Sequence, residues 1–210
     1  MNLLTLEQGS VPWLQARIGK CTGSRVKDAL SFLKDGKTSS AKRKNYITDL
    51  VTERLTGLAV DHYITPAMEW GIENEPYARA AYSVVSGNEV DLVGICAHPT
   101  IPNFQSSPDG LVGEDGVVEF KCPQTTTHIE WMFDGIIPEE HEYQLLSHLA
   151  CSGRQWVDFM SFDPRLPPKH QYFLRRMNRV DVAERITKME TDIVQFLSEV
   201  DEMIVKLEAR

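Results

Sequence analysis

Two rhythms run through this 210-residue chain. Apolar residues recurring every third or fourth position predict helices, and those recurring every second position predict strands. The stretch "GSVPWLQARIG" predicts a short helix, with Ser10 at its cap and Pro12 in the first turn. A second helix is expected over 24–34, ending before "KDGKTSS". In "SSAKRKNYITDLVTERLTG", Ile47, Leu50, Val51 and Leu55 share one helical face and Gly57 is placed to close it. "TPAMEWGIENEPYARAAYSVVSG" is helical on both sides of Pro76, which is expected to kink or divide it. The pattern then turns to short β-branched runs broken by Gly and Pro: "NEVDLVGICAHP", "FQSSPDGLVG" and "GVVEFKCP". "PEEHEYQLLSHLACSG" returns to helix, and "QWVDFMSFDP" and "HQYFLRRMNRV" predict two further strands.

From Asp181 the chain predicts one long helix. Val182, Ile186, Met189, Ile193, Phe196, Val200, Met203 and Leu207 recur at steps of four and three, a stripe that serves either a domain core or an oligomer seam. The element order predicts an α/β fold with a mixed central sheet flanked by helices and a long C-terminal helix. A length of 210 residues suits a single domain over 1–210.

Composition changes this picture little. No run of about 18 apolar residues offers a membrane span. The opening "MNLLTLEQGS" lacks the basic start and long apolar run of a secretory signal. Cys21, Cys96, Cys122 and Cys151 form no Cys-x-x-Cys pair and read as scattered thiols of a cytoplasmic protein. The histidines at 62, 98, 128, 141 and 170 show no metal-ligand spacing, and His148 reads as a helix-face residue.

Charge adds more. The net charge is −8, yet residues 1–60 hold ten Lys or Arg against five acids, net +5, and the remainder is net −13. The basic first third, densest at "KDGKTSSAKRK", offers sequence-independent DNA affinity and is equally a solvated surface run.

The stretch "SSPDGLVGEDGVVEFKCP" carries the chemistry. On a strand Glu119 and Lys121 point one way and Phe120 the other. A turn through "GEDG" returns the chain and brings Asp109 beside Glu119. Two close carboxylates repel unless a cation or proton sits between them, and a divalent metal held through oxygen resolves that repulsion. A nearby lysine stabilises charge on a phosphorane-like transition state or orients water. Asp in "PDG" is also a common turn residue, and Glu-x-Lys on a strand is often a solvated face. A glycosidase also pairs two carboxylates but has no evident use for the lysine.

The pattern Pro-Asp, a gap of about ten residues, then Glu-x-Lys resembles the PD-(D/E)XK nuclease superfamily. With "PWLQARIGKCTGSRV", "MEWGIENEPYAR", "SSPDGLV", "VVEFKCP" and "FDPR" in order, the chain more closely resembles the phage lambda exonuclease family, the viral alkaline exonucleases and YqaJ-like viral recombinases. That resemblance implies a restriction-endonuclease-like fold. It implies a Mg²⁺-dependent exonuclease, with Mn²⁺ able to substitute, that digests one strand of double-stranded DNA 5′ to 3′ from an end.

Residue by residue it implies that Asp109, Glu119 and the carbonyl of Phe120 ligate the metal and that Lys121 handles the water. Glu75 would help hold a second ion, where otherwise it reads as an ordinary exposed helix acid. Arg17, Ser24, Ser107 and Gln144 would bind the DNA 5′-phosphate, Gln144 lying near the active centre. Met68 would be an apolar wedge at the DNA end, and is equally a buried helix-face methionine. The expected assembly is a homotrimer ring, and the expected partner a single-strand annealing protein, in a bacterial host carrying the gene on a phage or prophage. The alternatives are another PD-(D/E)XK endonuclease, a RecB-like nuclease or a Cas4-like one, the last argued against by the cysteine spacing, and a non-catalytic DNA-binding relative.

Overall fold

A computed structural model describes residues 2–60 and 65–209. Strand β1 (Asn2–Leu4) precedes α1 (Val11–Arg17), whose first turn holds Pro12 and is capped by Ser10 Oγ, which accepts from the Trp13 amide. After β2 (Cys21–Thr22) and a 3₁₀ turn over Gly23–Arg25 comes α2, only Val26–Ala29. The helix expected over 24–34 therefore stops short. Asp35 competes for the backbone: its carboxylate accepts from the amides of Lys37 and Thr38 and from the Thr38 hydroxyl, and Phe32 bridges to Ser39.

Helix α3 (Ala41–Thr56) starts on Ser40 Oγ and closes at Gly57 as expected. Helix α4 (Pro66–Ser86) runs through Pro76 without dividing. The strands β3 (Ile95–Ala97), β4 (Phe104–Ser106), β5 (Gly110–Val112) and β6 (Gly116–Lys121) follow. Then come α5 (Thr125–Asp134), which the periodicity did not predict, α6 (Glu139–Ser152), β7 (Trp156–Phe162), β8 (Tyr172–Asn178) and α7 (Ala183–Glu208).

The strands form two four-stranded mixed sheets, ordered β1-β3-β4-β2 and β5-β6-β7-β8. An antiparallel bridge from Asp91 to Leu111 ties the segment before β3 to the edge of the second sheet. In that second sheet β5 and β6 form an antiparallel hairpin, while β6 and β7 run parallel, with Glu119 opposite Phe159 and Lys121 opposite Ser161. A parallel pair requires a crossover, and α5 and α6 provide it.

Strand alternation then sorts side chains between two apolar layers. Val118, Phe120, Met160 and Phe162 pack with Ala78 and Tyr82 of α4. Val117, Val157 and Phe159 join the larger core with Leu145, Leu146 and Leu149 of α6 and with α7. Glu119 lies on that α6 side, beneath a helix buried from Leu145 to Ser152.

The stripe of α7 serves mainly this core. Val182, Ile186, Met189, Ile193, Phe196 and Val200 are buried, whereas Met203 and Leu207 are 38% and 42% exposed. No described helix is long and apolar enough to cross a membrane.

Candidate active site

The β5–β6 hairpin does what its spacing predicts. Gly110 pairs with Val118, so Asp109, one residue before the strand, lies across from Glu119 and Phe120. Its Oδ2 accepts a 2.6 Å hydrogen bond from the Phe120 amide, which pins the carboxylate to the edge of β6.

Glu119 is buried, and three donors converge on it. Lys121 Nζ at 2.5 Å and Gln144 Nε2 at 2.6 Å meet Oε1, and His148 Nε2 at 2.7 Å meets Oε2. Gln144 and His148 sit one turn apart on α6, whose burial aims both at the strand beneath. On its other side His148 Nδ1 is hydrogen-bonded to the fully buried Ser106 Oγ of β4. His148 is thus no bland helix-face residue. In the sequence its signal was a Gln and a His spaced by four in the mostly apolar run "QLLSHLAC", with Ser106 giving no signal at all.

The electrostatics follow from this wiring. Burial pushes the Glu119 carboxyl up, but Lys121 and His148 outweigh it and hold the pKa at about 2. Burial opposes the charge on Lys121, and Glu119 and Asp109 outweigh that in turn, raising it above the ordinary lysine value. Asp109 goes the other way. Burial, then repulsion from Glu119 and Glu75, drive its carboxyl well above the usual range, and the Lys121 charge and the Phe120 amide only partly offset this.

Glu75, half-buried on α4 and 3.6 Å from Arg79, is raised by burial and by Glu119, with Arg79 and Lys121 opposing. Three carboxylates therefore feel one another here. Among the described residues no three acidic, His or Cys side chains already close on a point as a full cage. Mg²⁺ does not need one, because it is held by one or two carboxylates together with water and substrate oxygen. A carboxylate forced toward protonation by its acidic neighbours fits a place for a cation.

The remaining predicted residues fall in two places. Arg17 Nη1 donates to Ser107 Oγ at 3.0 Å, and its guanidinium lies over the Trp13 ring at 4.1 Å. Gly19, at φ 71°, turns the chain after α1; its amide donates to Glu53 Oε2 and its carbonyl accepts from Arg54 Nε, which ties this turn to α3. A Cβ on Gly19 would sit 2.6 Å from Arg54 Cγ. Ser24 is exposed at the 3₁₀ turn beside Gly23, which packs against Ser106 and Ser147. Gln144, by contrast, is bonded to Glu119 and not to the Arg17 group.

Met68 is 51% exposed near the start of α4, so it is not a buried methionine. The "FDPR" segment builds a separate clamp, with Arg165 bidentate on buried Asp163 and stacked over Trp70 at 4.3 Å.

The other histidines have structural surroundings. His98 meets Glu190 and accepts from the Ile101 amide, and His128 lies between Ser161 Oγ and the His170 carbonyl. His141 is held by burial at a pKa of about 4. His170 is exposed, and His62 lies outside the described residues. All four cysteines are buried free thiols.

A family model described as the YqaJ-like viral recombinase domain matches residues 12–155, a span that holds the whole Asp109, Glu119, Lys121, Gln144 and His148 group. The chain belongs to this family. Solved structures agree. The alkaline exonuclease LHK-Exo from Laribacter hongkongensis matches with a TM-score of 0.85 at 44% identity, covering 95% of this chain and 97% of that one. LHK-Exo in complex with dAMP matches with a TM-score of 0.86 at 43% identity over the same shares. A phage-related exonuclease from Haemophilus somnus 129PT matches at 11% identity with a TM-score of 0.61, covering 88% of this chain and 96% of that one, which shows a shared fold. A comparison with curated proteins finds no match. Family membership and the alkaline exonuclease likeness support a nuclease that acts on DNA.

Proposed function

We propose that the chain is a Mg²⁺-dependent exonuclease that digests one strand of linear duplex DNA 5′ to 3′ and leaves a 3′ overhang for single-strand-annealing recombination. The observation that carries this reading is the convergence of Asp109, Glu119 and Lys121 on one hairpin edge, with Arg17 at the end of α1 bonded to Ser107, which follows β4 and precedes that hairpin.

Asp109, Glu119 and the Phe120 carbonyl would hold Mg²⁺, or Mn²⁺ in its place, and Glu75 would help hold a second ion through water. The bound ion supplies Lewis-acid stabilisation of phosphate charge and a more acidic water. Lys121 keeps a fixed positive charge beside the scissile phosphate and orients the water, where it acts without reorganisation. Arg17, with Ser24 and Ser107, grips the terminal 5′-phosphate. A planar guanidinium suits that task, and burial beside Trp13 leaves it short of solvent until an anion arrives. Met68, exposed at the start of α4, would part terminal base pairs. The reading extends to a homotrimer ring, to a single-strand annealing protein as partner, and to the cytoplasm of a bacterial host.

The test is digestion of linear duplex labelled separately at each strand's 5′ and 3′ ends, carrying 5′-phosphate or 5′-hydroxyl, under a Mg²⁺ titration. Early release of the 5′ label, preference for 5′-phosphate and an uncut closed circular plasmid are expected. Cutting of closed circles, or early loss of the 3′ label, overturns the reading in favour of another nuclease type.

A further inference from the structure

We infer that His148 is a positioning residue that decides which lone pair of Glu119 remains for the metal. This rests on the metal-dependent reading above. A carboxylate offers about four lone-pair sites. On Glu119, Lys121 Nζ and Gln144 Nε2 both meet Oε1, and His148 Nε2 meets Oε2 at 2.7 Å. One site on Oε2 is left. Glu119 therefore offers a single oxygen to a cation, and the imidazole sets the direction in which that oxygen faces.

The histidine can hold that direction because it is itself fixed at both ends. It is 1% exposed, and its Nδ1 is hydrogen-bonded to Ser106 Oγ, which is wholly buried. Since ionised Glu119 can only accept, Nε2 donates to it, and Nδ1 shares the second hydrogen bond with the Ser106 hydroxyl. The Ser106 hydroxyl in turn lies where only Gly23 leaves room, since a Cβ at position 23 would be 3.3 Å from Oγ and 3.0 Å from Ser147 Cβ.

Serine, histidine and glutamate in series resemble the relay of a serine hydrolase. Here the serine has no exposed surface for a substrate to reach, so the series orients and does not attack. Outer-shell hydrogen bonds of this kind change metal affinity by about 10- to 100-fold when removed.

The test measures Mn²⁺ affinity by the loss of the free-ion paramagnetic resonance signal, using the full chain without DNA, with circular dichroism as the folding control. His148→Gln places an amide donor where Nε2 was and should bind Mn²⁺ within about threefold of the unsubstituted chain. His148→Leu should bind about 10- to 100-fold more weakly. Ser106→Ala keeps the imidazole but frees it, and should fall between the two.

Should His148→Leu fail to fold, Ser106→Ala and His148→Gln decide the matter. Equal affinity in all folded variants overturns the inference, and so does a Gln variant as weak as the Leu or Ala variant. Asp109→Asn separates the two levels of argument. If it abolishes Mn²⁺ binding while His148 and Ser106 variants bind normally, only the positioning role fails. If the unsubstituted chain binds no Mn²⁺, the metal-dependent reading falls, and this inference with it.

Discussion

Asp109 and Glu119 stand side by side and are driven in opposite directions, the first raised by burial and acidic neighbours, the second held at about 2 by its cationic and imidazole partners against burial. The sign of each matters for stability. An acid whose folded pKa is raised binds protons on folding, so its contribution is lost as pH rises from about 3.9 through the raised value. Glu119 behaves inversely: its contribution is present above about 4.3 and is lost as pH falls toward the depressed value of about 2. Metal-free Asp109→Asn should therefore melt higher than the unsubstituted chain at pH 8, by at least the roughly 2 °C that 1 kcal/mol produces in a chain this long. Asn keeps an oxygen for the Phe120 amide, and added Mg²⁺ should erase the difference by restoring the native pair. A lower melting temperature in metal-free Asp109→Asn would contradict the repulsion argument. For chemistry, Lys121→Ala should slow cleavage by orders of magnitude while DNA-end binding persists, because it removes stabilisation specific to the transition state. Near-normal single-turnover rates would remove Lys121 from its assigned role.

At the scale of elements, α7 divides its stripe. Phe196, wholly buried and stacked on Tyr46 at 5.4 Å, belongs to the main core. Phe196→Ala should cost about 3–5 kcal/mol in denaturant unfolding. Leu207→Ala, near the exposed end, should stay within about 0.5 kcal/mol.

This division also marks what the sequence could say. Periodicity located α3, α4, α6, α7 and the strand runs because each buries a face long enough to leave a pattern. It overran α2, where Asp35 draws the backbone into a turn, and it passed over α5, where three successive threonines hide a helix that buries only His128 completely. The spacing of Asp109, Glu119 and Lys121 was legible because strand alternation and one tight turn fix it locally. The roles of Ser106 and His148 were not, since the contact joins residues 42 apart and depends on how α6 lands across two sheets.

For the whole molecule, the division of charge into +5 over residues 1–60 and −13 beyond suits a ring with basic faces inward and acidic faces outward. The exposed apolar surface offers a seam. Phe133 is 91% exposed and Ile129, one turn earlier on α5, is 50% exposed, with Ile136 just beyond at 68%. If a second copy covers this patch in the proposed homotrimer, light scattering should report three times the 23.8 kDa chain mass. Phe133→Glu should then reduce it to a single chain without lowering the helical content. Unaltered threefold mass in Phe133→Glu would place the seam elsewhere, and a single-chain mass for the unsubstituted protein would remove the ring. If the proposed ring encloses the duplex, digestion once begun should survive a DNA trap and depend weakly on salt, while initial loading falls steeply with salt.

The carboxylates and the residues that orient them arrive from different distances along the chain, and this sets an order in time. Asp109 reaches the Phe120 amide across 11 residues, within a hairpin of the kind that closes in about 1–10 μs. Gln144 and His148 reach Glu119 from 25 and 29 residues away, and only once the β6–β7 crossover has settled. Closing such distant contacts is the slower step in a mixed sheet. During refolding, hairpin and helix signals should therefore return before the capacity to bind Mn²⁺. A newborn chain would carry its acidic pair without the groups that aim it until α6 has docked across the two sheets.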